Sequence, residues 1–286
     1  MMVTEQRTLV ADQKARFYHE NGYVVIEGLF SPEEVERYRE HYMTLRRHGS
    51  YAGDFSGVDA TNADPLKRYP RMIHMHRWDD VSLRWMLDAR LNAVMTTLLG
   101  NEPYAVQTML YFKPAGARGQ ALHQDNFYLR AQPGTCLAAW MALDPCDEAN
   151  GCLRIVPGSH RWPLLCTEKA DTGVSFTDVT VPLPPGQEAE AVRMNAGDVL
   201  FFDGSLVHGS YPNTTEDRFR RSLIGHYIDG RAEQVAEFYH PALRMDGTPL
   251  ELVQSGSGGA CGVWVERDGE RVVELVGQET VSRKHE

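Results

Sequence analysis

The 286-residue sequence has no apolar run approaching the ~20 residues that a membrane span requires. Its first residues, MMVTEQRTLVADQKARFYHENG, hold no apolar segment of the kind that directs secretion. Clustered positive charge is also missing. The 29 lysines and arginines are scattered among 39 acidic residues, and the net charge is −10. That disfavours a nucleic-acid or anionic-membrane partner, which needs a basic stripe. Cysteine is sparse: Cys136, Cys146, Cys152, Cys166 and Cys261 are odd in number and include no Cys-x-x-Cys pair. A thiolate zinc site is therefore disfavoured, and the five read as reduced, structural thiols of a cytoplasmic protein. The ending SRKHE lacks the Ser-Lys-Leu peroxisomal address. No internal repeat, phosphate loop or serine-histidine-acid constellation is present. A small molecule is the partner class left standing, and nothing speaks to oligomeric state.

What is there divides by period. Residues 1–100 read as mainly helical. ADQKARFYHENG has a helical pattern stopped by Asn21-Gly22, and YVVIEGLF reads as a strand. SPEEVERYREHYMTLRRHG opens with Ser31 as N-cap, Pro32 at the first helical position and Glu34 three residues on, a capping box. Its apolar side is Val35, Tyr38, Tyr42 and Leu45. A third helix is expected over roughly Asp80 to Leu99, stopping at Gly100.

From about Tyr104 to residue 232 the pattern becomes that of short strands: YAVQTMLYFKP, TCLAAWMAL, GCLRIVPGSH, GDVLFFDGSLVHGS and RRSLIGHYI. DEANG between two of them predicts a hairpin. The layout is α+β, a β-sandwich buttressed by N-terminal helices. Residues 233–286 form an extension in which a QSGSGG spacer precedes GVWVERDGERVVELVG, a hairpin turning at Asp268-Gly269. A lone hairpin is not stable in water, so one face, with Val263 and Val265 or Val272 and Leu275, must dock. Its own sheet, the site mouth and a second subunit are the candidate surfaces, the first being the simplest.

Within HQDNFYLRAQPG, His123 and Asp125 stand one residue apart. On an extended strand such side chains share a face, which suits a metal or, equally, a structural His-Asp hydrogen bond. His208, past an apolar strand and before a Gly-Ser turn, supplies a third ligand. Two imidazoles and a carboxylate on one face of an octahedral ion leave three positions open, the non-heme Fe(II) oxygenase arrangement. A bidentate 2-oxo acid takes two of these and O2 the last. Such an acid also needs a cation for its distal carboxylate, and Arg218, Arg220 and Arg221 follow a strand-length later. Only one of the adjacent Arg220 and Arg221 can point inward. His74 and His76 lack a carboxylate at ligand spacing and read as pocket rim or packing. His160 and His226 read as structural histidines, Phe201-Phe202 as core, and Gly134 and Gly151 as turn residues. Phe127 or Tyr128 is open to either burial or substrate contact.

Together, HQDNFYLRAQPGTCLAAWMAL, NGCLRIVPGSH and GDVLFFDGSLVHGSYPNTTEDRFRRSLIGHY resemble the phytanoyl-CoA hydroxylase family of Fe(II)/2-oxoglutarate dioxygenases. The resemblance runs to about Tyr227. It implies a double-stranded β-helix (jelly-roll, cupin-like) core in a single domain over 1–286, with the extension outside the shared pattern. It implies His123, Asp125 and His208 as metal ligands and Arg220 as the 2-oxoglutarate anchor, with Arg221 the fallback. Gln107, Tyr111, Ser210 and Trp140 match cosubstrate and pocket-lining positions. The implied cofactor is Fe(II), with 2-oxoglutarate and O2 as cosubstrates. The implied reaction oxidises an unactivated C–H bond of a small, polar metabolite or natural-product intermediate, by hydroxylation, cyclisation or desaturation, and releases succinate and CO2. Rival readings are an acyl-CoA hydroxylase and a non-catalytic binding protein of the same fold. Halogenation is disfavoured, because relatives that halogenate carry a small residue where Asp125 stands.

Overall fold

The computed structural model of the chain describes residues 2–49, 51, 54, 57–256 and 259–279. The helix Pro32–Arg47 begins as its capping box dictates: the Glu34 amide donates to Ser31 Oγ, and the Ser31 amide donates to Glu34 Oε2 at 2.8 Å. The helix expected over Asp80–Leu99 is instead two, Asp80–Met86 and Ala89–Leu99. Asp88 causes the break. Its carboxylate caps the second helix through the Arg90 amide and pairs with the Arg90 guanidinium, so the chain restarts there. Gly100 ends it in the left-handed conformation, φ 74°. Among the described residues no helix is long and apolar enough to cross a membrane.

Two sheets form the centre. The larger, of eight strands, runs Tyr23–Ile26, Val199–Asp203, Cys136–Ala142, Arg220–Ile228, Tyr104–Lys113, Ala242–Leu243 and Pro249–Leu250, with Met72–Ile73 also on Tyr104–Lys113. The smaller runs Gln120–His123, His208–Ser210, Leu153–Ile155 and Glu190–Val192. Strand alternation sorts the apolar residues. Leu137, Ala139, Met141, Phe201 and Leu223 face the helices, in a core with Val35, Tyr42, Trp85 and Leu91. Ala138, Trp140, Phe202 and Ile224 face the smaller sheet and pack on Leu153, Ile155 and Val192. Phe201 and Phe202 are both core, but of different layers. This is the double-stranded β-helix arrangement, with helices on the outer face of the larger sheet.

DEANG is not a hairpin. It joins Cys136–Ala142 of one sheet to Leu153–Ile155 of the other. Asp147 Oδ1 accepts from the Ala149 and Asn150 amides, a tight turn whose chemistry does not reveal which sheet the next strand joins.

The C-terminal hairpin, Gly259–Arg267 with Glu270–Glu279, turns at Asp268-Gly269 with φ 53° and 80°. It forms its own two-stranded sheet and does not extend the sandwich. The docked face carries Trp264 and Val273, which pack on a cluster of Leu122, Val156, Leu165, Val181 and Val207. Val272 and Leu275 are exposed. A disulfide, Cys166–Cys261, ties the hairpin to the loop beneath it. The expectation of five reduced thiols is thus overturned for two of them, and the compartment it implied loses that support. The two lie 95 residues apart, and only docking brings them together. Cys136, Cys146 and Cys152 are free and buried.

Candidate metal centre

His123 closes the strand Gln120–His123 and His208 opens the strand His208–Ser210. The two are register partners, so their rings lie side by side with centroids 4.2 Å apart. Gly209 and Ser210 are strand residues, not a turn. Asp125 is not on a strand either: its backbone is helical (φ −62°, ψ −35°), at the head of the short helix Asn126–Leu129. A turn, rather than the pleat, brings its carboxylate back to His123. Asp125 Oδ1 is 3.5 Å from His123 Nε2, and Oδ2 is 3.7 Å from His208 Nε2. One donor atom from each residue lies within 4.8 Å of the others.

Both imidazoles are oriented in the same way. His123 Nδ1 donates to the Ala121 carbonyl at 2.9 Å, and His208 Nδ1 to the Leu206 carbonyl at 3.0 Å. That leaves Nε2 of each ring as the acceptor, the tautomer a metal needs, with His123 Nε2 also taking a hydrogen bond from Gln120 Nε2 at 3.1 Å. Burial, then His123, push His208 down to about 4, so its ring is neutral near pH 7. Burial alone would raise the Asp125 carboxyl. His208, His123 and His226 outweigh it and hold it well below the usual carboxylate range. Two imidazoles and a carboxylate with an open face fit Fe(II). Between the ligands, Gln124 turns away and braces the loop below: its Nε2 donates to the Ser205 carbonyl at 2.8 Å and its Oε1 accepts from the Leu165 amide at 2.8 Å.

Deeper between the sheets, Arg220 and Lys113 are register partners, both buried. Arg220 lies over the Trp140 ring, 5.4 Å from its centroid, and donates to the Gly151 carbonyl and to Ser222 Oγ. Lys113 Nζ donates to Ser210 Oγ at 2.7 Å and to the Tyr211 carbonyl at 2.6 Å. Two basic side chains are therefore buried side by side on neutral partners, with no carboxylate paired to either among the described residues. Burial, reinforced by Arg220, pulls Lys113 well below the usual lysine range. Arg221 points the other way and binds Asp144 through Nε and Nη2, at 2.8 and 2.6 Å. Arg218 pairs with Asp147 at the surface. Gly151, φ +90°, does more than turn: a Cβ there would collide with Lys113 Cδ and the Tyr211 carbonyl.

Lys113 is the residue that sequence reasoning missed. A lysine ending an apolar strand looks like any solvated terminus, although its inward parity with Tyr111 and Gln107 was a usable signal. Gln107 is buried opposite His226, and the Tyr111 hydroxyl accepts from Arg71 at 3.4 Å. Tyr128 lies edge-on to His123, with centroids 6.5 Å apart. Among the other histidines, His76 Nδ1 meets Thr108 Oγ1 at 3.0 Å, and His160 Nε2 donates to the His19 carbonyl at 3.2 Å while its Nδ1 has no partner. His226 is only half satisfied: Nε2 lies 3.2 Å from Asp125 Oδ2, and Nδ1 has no partner.

The comparisons with known proteins agree with this geometry. The family model Phytanoyl-CoA dioxygenase (PhyH) matches residues 18–222. Phytanoyl-CoA dioxygenase 1 of Oryza sativa subsp. japonica is 26% identical over 77% of this chain and 89% of its own. The ectoine dioxygenase of Sphingopyxis alaskensis is 28% identical over 79% of this chain and 78% of its own. Among solved structures, EctD from S. alaskensis in its apoform superposes with a TM-score of 0.61 at 25% identity, covering 76% of each chain. SnoK, a non-heme alpha-ketoglutarate-dependent carbocyclase of nogalamycin biosynthesis, superposes with a TM-score of 0.61 at 24% identity, covering 84% of this chain and 92% of its own. The chain belongs to the phytanoyl-CoA dioxygenase (PhyH) family of non-heme Fe(II)/2-oxoglutarate-dependent oxygenases.

Proposed function

We propose that the protein, acting as a single domain over residues 1–286, oxidises an unactivated C–H bond of a small polar metabolite or natural-product intermediate. In the simplest case R–H, 2-oxoglutarate and O2 give R–OH, succinate and CO2. The observation that carries this reading is the pairing of an open His123-Asp125-His208 face with a buried guanidinium, Arg220, that has no carboxylate partner among the described residues and stands beside Lys113. Iron bound to that face supplies the activation of O2, with 2-oxoglutarate as the source of two electrons.

The chain's own residues bind, orient and exclude. Arg220 offers a planar fork to the distal carboxylate of 2-oxoglutarate, with Lys113 and Ser210 beside it. Trp140 covers the guanidinium and keeps water away. Gln107 and Tyr111 lie on the same inward face of the strand Tyr104–Lys113, where they can orient the cosubstrate. Arg221, committed to Asp144, is not free for this role. The named activities of relatives, an ectoine dioxygenase and a carbocyclase, support a small metabolite or natural-product intermediate and leave hydroxylation or ring closure as outcomes.

An acyl-CoA substrate has the rice relative's name in its favour and the net charge of −10 against it. A non-catalytic binding protein is the remaining rival. Anaerobic Fe(II) with 2-oxoglutarate should give the weak visible charge-transfer band of an iron-bound chelate, and admitting O2 should release succinate. The band without succinate would leave a binding protein, and absence of both would reject the site.

A further inference from the structure

We infer that His74, with the Nδ1 edge of His226, forms a subsite that recognises a hydroxyl group of the substrate. The substrate class is then a neutral hydroxylated ring, such as a cyclitol or glycoside, rather than a phosphate or thioester. This rests on the oxygenase reading above.

Three observations carry it. First, His74 and His226 are each 6% exposed, yet both His74 ring nitrogens and His226 Nδ1 have no hydrogen-bond partner. Buried polar atoms are rarely left so, and three on two neighbouring rings mark a place where a ligand completes the bonding. Second, the position is beside the chemistry. His226 Nε2 donates to the metal ligand Asp125, and Nδ1, on the opposite edge, has no protein partner. His74 rests on Phe238, with centroids 4.6 Å apart, and Phe238 packs on Ile73, Met109 and Ile224 from between the sheets. Third, the backbone of His74 is held in the left-handed region, φ 57°, ψ 31°, where a non-glycine residue is strained and where strain collects at functional sites.

The chemistry of these atoms selects the ligand. Burial, reinforced by Arg77, pushes His74 down to about 2, so the ring is neutral and offers one donor and one acceptor. A hydroxyl matches such a ring, because it can give and take a hydrogen bond. An ammonium offers only donors and would leave the His74 N–H without an acceptor. A phosphate dianion offers only acceptors and would leave the acceptor nitrogen of His74 without a donor.

The test uses the full chain loaded with Fe(II) and 2-oxoglutarate and reads succinate release. It compares a library of neutral cyclitols and glycosides with a matched set of sugar phosphates and acyl-CoA thioesters. Neutral compounds should stimulate most. For the best of them, His74→Gly, whose backbone accepts the positive φ, should raise KM at least tenfold. The KM for 2-oxoglutarate and the substrate-free succinate rate should stay within twofold. His74→Asn, which also suits that backbone and keeps a donor and an acceptor, should lose less than His74→Gly. Strongest stimulation by a phosphate or thioester, no stimulation by any neutral compound, or an unchanged KM in His74→Gly overturns the inference. Failure of the wild-type chain to give the anaerobic band overturns the oxygenase reading instead.

Discussion

Neighbouring residues on a strand face opposite ways, so Arg220 and Arg221 meet different chemistry and their substitutions should read differently. Arg220→Ala should raise the KM for 2-oxoglutarate at least thirtyfold, since a buried carboxylate loses a charge-assisted partner worth about 2–5 kcal/mol. Arg221→Ala should leave that KM within twofold. It should lower stability by about 1–3 kcal/mol, because buried Asp144 loses a two-point partner. Titration with 2-oxoglutarate and thermal unfolding of both variants check this, and the opposite pattern would move the anchor to Arg221. Asp203 gives a test of sign. Burial pushes its carboxyl up to about 6, against hydrogen bonds from the Ser205 amide and Thr135. The folded state therefore holds this proton more tightly than the unfolded chain. The stabilisation is fully present below about pH 4 and is lost as pH rises through about 6, to the extent of about 2–3 kcal/mol. Asp203→Asn should remove that loss. Its unfolding free energy relative to the parent should rise between pH 4 and 7, and a flat difference would refute the assignment.

At the scale of elements, the C-terminal hairpin is the piece whose stability is borrowed. Trp264 Nε1 donates to the Pro182 carbonyl at 3.2 Å, the Gly262 amide donates to the Leu164 carbonyl at 2.7 Å, and Cys261 is bonded to Cys166. Closing a loop this long gives the disulfide a stabilisation of about 3–5 kcal/mol in the chain-entropy account. Cys261→Ser should lower the melting temperature by several degrees, and dithiothreitol should bring the parent down to the variant. A parent indifferent to reductant, with a variant of equal stability, would show that packing alone holds the hairpin. The docked surface includes Leu122 and Val207, which precede His123 and His208, so the hairpin backs the strands that carry the metal ligands. It lies behind the site, which argues against docking at the site mouth.

For the whole molecule, the two sheets are held facing each other by their shared apolar core; His123 and His208 stand on the smaller sheet, Asp125 on the turn after it, and the proposed anchor Arg220 on the larger. A metal binding the folded state alone should therefore stabilise the entire fold. At a free Fe(II) or Zn(II) concentration about a hundredfold above its Kd, the gain should be about 2.7 kcal/mol. His123→Ala should fold and lose that gain, which anaerobic thermal unfolding with and without metal would measure. Retention of the gain in His123→Ala would place the ion elsewhere.

The sequence by itself determined whatever depends on near neighbours in the chain. Ser31 and Glu34 cap a helix three residues apart, Asp268-Gly269 turns a hairpin, and alternation decides that Phe201 and Phe202 part company between two cores. The types of the candidate metal ligands were legible for the same reason, since His123 and Asp125 are two residues apart and His208 opens a short strand. Tertiary structure decided what distance in sequence conceals. It separated Arg220 from Arg221 by giving Asp144 to one of them, and it set Lys113 beside the other. It carried DEANG from one sheet to the other, and it brought Cys166 to Cys261. It also left His226 with a bare nitrogen beside Asp125. Each of these depends on which surfaces are buried against which, a property of packed layers that no local pattern of residues encodes.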